Sequence, residues 1–377
     1  ADYRNCIGIP NIGGDCYRES TYSKNPLVNI CCMGLVKKEN IVYGNVRNIG
    51  DYLIYVGSKT GTDGINGAKM ASQTFSNDTN LEELKSNIQK GDPFLEKLLL
   101  EACCEISEQQ LAEGMQDMGA GGLLCSSIEV IKRGRDKTNK DLGCELYLDK
   151  IPIKYEMEPQ NILISESQER MLIVCEDKNL DQIESIFNNW DLEYSIIGRT
   201  NTTGKYEVFN NHELLYSKKF TLFDDVNDYT NIPNRKKRYV LNEIPKKVRD
   251  MRLWEIYDST VGNRTLKGPD KPGSYAILDI YEINKQLVLT WGETFEGCYE
   301  IMKLFEDVTP LCIVNCLNYG DPKDCMYDLK EDVERLNASC IEYNIPIVGG
   351  NVSLYNSTDN VSIKPTPILV MMGISND

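Results

Sequence analysis

The stretch Ile345-Pro346-Ile347-Val348-Gly349-Gly350-Asn351-Val352-Ser353-Leu354-Tyr355 is repeated in outline near the start of the chain, as Ile9-Pro10-Asn11-Ile12-Gly13-Gly14-Asp15-Cys16-Tyr17. Each copy has a proline, a β-type run, two glycines and a polar residue. The echo continues downstream: Pro26 and then residues 29–34 parallel Pro365 and then residues 368–373, each an apolar run closed by Met-Gly. So wide a spacing excludes a short-period solenoid and implies two copies of one domain related by a pseudo-two-fold.

The later copy has a chemistry of its own. Two glycines remove both Cβ atoms, so backbone N–H groups can approach a phosphate that side-chain bulk would keep away. In an extended segment Asn351 and Ser353 share a face, placing an amide oxygen beside a hydroxyl. An anion and a hard cation suit such a face. The plainer alternative is a glycine bulge leaving a buried strand, with Asn351 bonding the turn.

With 377 residues, 41% of them apolar, the chain can bury a large core and should hold two or more domains. A net charge of -16 opposes binding to a phosphate backbone, so nucleic acid is an unexpected partner. No apolar run approaches the roughly 20 residues that span a bilayer, and residues 1–6 carry no secretory pattern. No membrane partner and a cytoplasmic location are therefore expected. None of the 14 cysteines is spaced C-x-x-C, and His212 is the single histidine. Reduced, structural thiols are expected, with Cys31 and Cys32 on a strand, Cys103 and Cys104 on a helix, and Cys312 and Cys316 flanking a β-type run. His212, in Asn210-Asn211-His212-Glu213, reads as a hairpin turn.

Along the chain, residues 1–36 read as strand, Gly-Gly turn and strand. A strand over 52–56 runs into the glycine-rich turn 57–67, which matches neither the P-loop nor the dinucleotide fingerprint. Asp92 as N-cap and Pro93 at the first helical position start a helix with Leu95, Leu98, Leu99 and Ala102 on its apolar face. Gln116-Asp117-Met118-Gly119-Ala120-Gly121-Gly122 precedes a helix over 123–131. A carboxylate at a glycine-rich helix entrance can hold Mg²⁺ whose other ligands are phosphate oxygens, or can cap the helix. Ser165-Glu166-Ser167-Gln168-Glu169-Arg170-Met171 leads into a strand over 171–175. It offers several donors and acceptors to a polar ligand, or forms a solvated loop.

A helix over 180–188, a strand over 194–198 and a hairpin over 205–216 complete an α+β domain. Residues 217–247, with the basic run 235–238, read as linker surface. Beyond it come a strand over 275–280, a helix over 294–305, a buried strand over 311–316 and a helix over 326–343 returning to the glycine pair. Strand, helix and strand with polar strand ends describe a mononucleotide-type site by geometry.

Many of these motifs, in this order, resemble phosphoribosylformylglycinamidine synthase, in the synthetase subunit of the stand-alone bacterial and archaeal type. They include Gly13-Gly14, Val56-Gly57-Ser58-Lys59-Thr60-Gly61, Asp63-Gly64-Ile65, Gly91-Asp92-Pro93-Phe94, Gln116 to Ala120, Ser165 to Met171 and Gly349 to Tyr355. The resemblance implies an α+β protein with a doubled aminoimidazole ribonucleotide synthetase-like fold, a sheet domain plus a flanking α+β domain in each half, incomplete at both ends in this chain. The implied division is 1–37 (end of the first sheet domain), 38–220 (first flanking domain), 221–244 (linker) and 245–377 (second sheet domain).

The implied activity is the ATP-dependent conversion of formylglycinamide ribonucleotide to its amidine with glutamine-derived ammonia, through an iminophosphate, in purine biosynthesis. By motif, Asp117 and Asn351 would ligate Mg²⁺, Asn315 and Gly350 would contact ATP, and Gln89, Glu166, Ser167, Gln168 and Ser353 would hold the substrate. No catalytic residue is assigned, because the family's catalytic histidines lie upstream of Ala1, and the chain alone is expected to be inactive. The implied partners are a glutaminase subunit and a small accessory subunit. Two departures stand out: Asn315 replaces an Asp, and Thr62 replaces an Arg, of the family pattern. Asn315 leaves open a non-catalytic nucleotide-binding or assembly module, and selenophosphate synthetase or thiamine phosphate kinase activity is the alternative within the superfamily.

Overall fold

The computed structural model of the chain describes residues 2–65, 89–223, 246–247, 256–269, 273–359 and 361–376. The expected linker beyond residue 223, with its basic run 235–238, lies outside them, as do residues 66 and 67 of the glycine-rich turn. The described residues fall into two compact units, one of residues 34–65 and 89–223, the other of residues 2–33 together with those from 246 onward.

The first unit is built on seven strands: β1 (Tyr52–Gly57), β2 (Gly114–Asp117), β3 (Gly143–Tyr147), β4 (Arg170–Cys175), β5 (Tyr194–Asn201), β6 (Lys205–Asn210) and β7 (Glu213–Lys219). Their spatial order is β2-β4-β1-β5-β3-β6-β7, antiparallel throughout except for β3 beside β6. Its helices are α1 (Pro93–Glu108), α2 (Gly122–Thr138), α3 (Pro159–Ile164) and α4 (Leu180–Asn189). Helix α1 starts as its sequence predicts, with Asp92 Oδ1 accepting from the N–H groups of Phe94 and Leu95 at 3.1 Å each.

Residues on β1 alternate between two cores. Ile54 and Val56 pack with Leu99, Ala102 and Ile106 of α1 and Ile183 and Phe187 of α4. Leu53 and Tyr55 pack with Val130 and Ile131 of α2 and Ile162 of α3. A strand covered on both faces loses the apolar–polar alternation, which is why β1 reads as an unbroken apolar run. Each such buried side chain contributes roughly 1.5–3 kcal/mol.

The second unit holds a six-stranded sheet of β8 (Thr265–Lys267), β9 (Tyr275–Ile280), β10 (Lys285–Gly292), β11 (Val308–Asn318), β12 (Ile347–Ser353) and β13 (Thr366–Ser375), in the order β8-β9-β10-β13-β11-β12. Only β11 and β12 are parallel, and they are joined by α6 (Pro322–Tyr343), the crossover a parallel pair requires. Helices α5 (Phe295–Met302) and α6 cover one face, where Phe295, Cys298, Met302, Leu336 and Cys340 pack on Val288, Ile313, Leu369 and Met371.

Three expectations are corrected. Residues 1–36 are not two strands: Asp2–Cys6 is a short helix, only Tyr17–Arg18 pairs, with Lys246–Lys247, and no ladder among the described residues includes 29–34. Val28 and Ile30 are 84% and 62% exposed, and Asn29 Oδ1 accepts from Cys316 Sγ at 2.7 Å and from Asn318 Nδ2 at 3.1 Å. Apolar patterning marks a residue for burial, but a strand forms only where a neighbour supplies the ladder. The strand over 311–316 is half-buried, since α5 and α6 cover one face only; Leu311 is 44% exposed. The thiols divide as well: Cys144, Cys175, Cys298, Cys325 and Cys340 are buried, whereas Cys31, Cys32, Cys104 and Cys125 are exposed.

Candidate functional site

In the first unit the polar residues before β4 form a folded-in loop. Glu166 is 3% exposed and Ser167 1%. Glu166 Oε1 accepts from the Gly121 N–H at 3.0 Å and Oε2 accepts from Gln89 Nε2 at 2.7 Å. Gln168 Nε2 donates to the Glu166 carbonyl at 2.9 Å. The carboxylate therefore sits on the first turn of α2, where unsatisfied N–H groups and the helix dipole favour negative charge.

The glycines before α2 make this possible. Gly122 adopts φ +57, and a Cβ there would stand 2.0 Å from the Ser165 carbonyl oxygen. Only glycine allows the helix entrance and the 165–168 loop to lie so close.

Ser167 is committed to the scaffold. Its Oγ accepts from the Gly61 N–H at 2.9 Å and donates to Asp63 Oδ2 at 2.5 Å, while Ser165 Oγ donates to the Gly61 carbonyl at 2.6 Å. Asp63 also accepts from Lys154 Nζ at 3.1 Å. Burial pushes the Asp63 carboxyl up, but the Ser167 and Lys154 hydrogen bonds outweigh it and hold it below the usual carboxylate range. Thr62, in the same turn, receives both its contacts from the Tyr155 phenol, which accepts its N–H at 3.0 Å and meets its hydroxyl at 2.6 Å.

Asp117 ends the edge strand β2 and is exposed; Oδ1 accepts from Gln116 Nε2 at 2.9 Å. It does not cap α2, whose N-cap is Gly121. Among the described residues no group of three or more His, Cys, Asp or Glu side chains could hold a metal ion. A lone exposed carboxylate still fits Mg²⁺, which keeps several waters and takes one or two carboxylates plus substrate phosphates.

In the second unit, β12 carries the Gly-Gly-Asn-Val-Ser segment as an exposed edge strand. Its register pairs Gly350 with Asn315, Asn351 with Cys316 and Ser353 with Asn318 on β11. Asn351 and Ser353 thus share a face, as their spacing predicts, and the buried-strand alternative fails. Gly350 has φ +152, and a Cβ on it would lie 2.0 Å from Asn315 Oδ1 and 2.4 Å from the Asn315 carbonyl oxygen. Ser353 Oγ accepts from Asn356 Nδ2 at 3.0 Å.

Gln89, Glu166, Ser167 and Gln168 are therefore one bonded group in the first unit, with Asp117 at the other end of the Gly119–Gly122 turn. Asn315, Gly350, Asn351 and Ser353 lie along two adjacent strands of the second. Sequence reasoning gave no individual role to Asp63, Lys154 or Arg170. The signal for Arg170 was present: a lone base opening an apolar strand is a candidate for burial with partners.

The C-terminal domain model of AIR synthase related proteins matches residues 48–210, and the N-terminal domain model matches residues 1–36 and 307–375. Phosphoribosylformylglycinamidine synthase subunit PurL of Campylobacter curvus is 35% identical over all of this chain and 55% of its own length, and that of Pelagibacter ubique is 36% identical over the same shares. The chain spans about half the length of the curated relatives it matches. Thermotoga maritima PurL complexed with FGAR superposes with a TM-score of 0.84 at 32% identity, covering 100% of this chain and 63% of that one. PurL from the same organism complexed with ATP gives 0.79 at 30% identity, over 100% and 62%. The PurLQS structure from that organism gives 0.81 at 30%, over 100% and 63%.

Proposed function

Since the chain belongs to the AIR synthase related proteins, of the PurL type, we propose that it carries part of a phosphoribosylformylglycinamidine synthase. The whole protein converts formylglycinamide ribonucleotide to formylglycinamidine ribonucleotide, with ATP and glutamine-derived ammonia. The amide oxygen attacks the γ-phosphorus of ATP and ADP leaves; ammonia then adds to the iminophosphate carbon, phosphate departs and a proton is lost. The domain division 1–37, 38–220, 221–244 and 245–377 is part of the proposal. So are a separate glutaminase subunit and a small accessory subunit as the ammonia source, and a cytoplasmic setting; no helix among the described residues is long and apolar enough to cross a membrane.

The observation that carries the reading is the enclosed carboxylate of Glu166, held by the Gly121 N–H and Gln89. Among the described residues each carboxylate oxygen has one bond and keeps capacity for another, and the side-chain carbonyls of Gln89 and Gln168 have no partner. Such a prebuilt group binds a polyhydroxylated, amide-bearing ligand at low ordering cost. Glu166, Gln89 and Gln168 contact the substrate. Ser167, whose hydroxyl is committed to Gly61 and Asp63, supports them, and Ser353 adds a further hydroxyl. Asn315 and Gly350 contact ATP, with glycine required because Asn315 fills the space a side chain would need.

Asp117 in the first unit and Asn351 in the second are each assigned as a Mg²⁺ ligand. When bound, that ion clamps the nucleotide phosphates and offsets charge on the transferring phosphoryl group. The test is release of ADP by the whole protein with ammonia, ATP and formylglycinamide ribonucleotide. ADP release that ignores the ribonucleotide points instead to a phosphotransferase of the same superfamily, and no ATP binding at all points to an assembly module.

A further inference from the structure

Arg170 opens β4 and is 3% exposed; it feels the charges of Asp63 and Glu166, yet it makes no direct ion pair with a carboxylate among the described residues. Its donors go elsewhere. Nε donates to the Ser167 carbonyl at 2.6 Å, one terminal nitrogen to the Ser165 carbonyl at 2.6 Å, and the other to Thr60 Oγ1 at 3.0 Å. Thr60 is itself fully buried, and its hydroxyl meets the Tyr55 phenol at 3.0 Å. A charged group so deeply buried is retained only where several hydrogen bonds satisfy it.

The geometry is that of a tie beneath the loop. The carbonyls of residues 165 and 167 are drawn down onto one guanidinium plane, so Glu166 is held between two tethered peptides. The base of the plane cannot drift, because Arg170 is locked in the sheet opposite Gly57 and its carbonyl accepts from the Met118 N–H at 3.1 Å. The side chain thus couples the 57–61 segment to the 165–168 loop, and the backbone of the same residue joins both to the end of the strand that carries Asp117.

We propose that Arg170 is a positioning residue for substrate binding: its guanidinium, touching no ligand, sets the conformation of the 165–168 loop and through it the aim of Glu166 and Gln168. This rests on the reading of that loop as the ribonucleotide-binding segment. Lysine cannot substitute, because a single ammonium point cannot span three acceptors that a planar fork reaches together.

The test uses the whole protein and its Arg170→Lys variant, with two readouts. Hydrogen–deuterium exchange without ligands is expected to quicken about tenfold at the amides of Gly61 and residues 166–168, while the β4 amides stay protected. In steady state, KM for formylglycinamide ribonucleotide is expected to rise about tenfold, with KM for ATP within about twofold of native, because a displaced loop costs aim rather than folded protein. Unchanged exchange in the loop, or a fall in kcat with both KM values unchanged, overturns the proposal.

If Arg170→Lys does not fold, Thr60→Val, which keeps the arginine and removes one acceptor, decides by the same readouts. It is expected to move both in the same direction, by about threefold; no movement overturns the proposal. Native protein that consumes no ATP in response to the ribonucleotide defeats the functional reading instead, and the exchange measurement still decides the role of Arg170.

Discussion

The 165–168 loop of the first unit and the 347–353 strand of the second present similar side chains in opposite settings. Glu166 and Ser167 are buried and bonded into a network of backbone and side-chain partners. Asn351 and its neighbours lie on an exposed edge strand, set by its register on β11 and, at Ser353, by Asn356. The loop is bonded in place without a ligand, whereas the strand offers groups to whatever approaches. Substitutions in the loop should therefore cost both folding and binding, and substitutions on the strand should cost binding alone.

The largest expected break of this contrast is Gly122→Val. Its Cβ would meet the Ser165 carbonyl in a left-handed backbone, so the first unit should lose about 3 kcal/mol in urea unfolding. Next, Glu166→Ala leaves the Gly121 N–H and the Gln89 amide without their carboxylate. Calorimetry should show formylglycinamide ribonucleotide bound about thirtyfold more weakly, and stability lower by about 2 kcal/mol. On the strand, Asn351→Ala should change stability by less than about 1 kcal/mol, as exposed positions do. It should still weaken ATP in the presence of Mg²⁺ about tenfold, because the amide oxygen offered to the cation is gone; equal losses of stability at Gly122 and Asn351 would erase the distinction between the two regions.

Two smaller effects sharpen it. Asn315→Asp restores a carboxylate of the same shape beside Gly350, and in calorimetry with Mg²⁺ it should tighten ATP by about 1 kcal/mol. No gain favours the assembly-module reading. The smallest effect is in pH. Burial raises the Asp63 carboxyl, but Ser167 and Lys154 prevail and hold it low, so this group contributes stability above its unfolded value near about 4, lost as pH falls through the lower folded value. Ser167→Ala should flatten that acid limb in melting curves as pH falls below about 4.

Local chemistry made much of this legible. Asp92 and Pro93 announced α1, Asn211 and His212 sit with positive φ between β6 and β7 as a hairpin turn requires, and the spacing of Asn351 and Ser353 set their common face. The strands β2, β3 and β10 went unread, although Lys285–Gly292 lies at the middle of its sheet. Short strands covered on one or both faces lack the alternation that periodicity needs. The bonds that Asp63 makes to Lys154 and Ser167 went unread because the partners are about 90 residues apart or more, a separation no local pattern encodes.

The order of residues alone determined where helices begin, which glycine pairs bring backbones close, and which polar runs interrupt apolar ones, since each depends on neighbours within a few positions. Only the tertiary structure decided that residues 29–34 join no strand ladder among the described residues, that Glu166 is enclosed while Asn351 is exposed, and that one arginine ties two loops together. Burial and hydrogen bonding are set by what arrives from distant parts of the chain, and that geometry exists only once the sheets have formed.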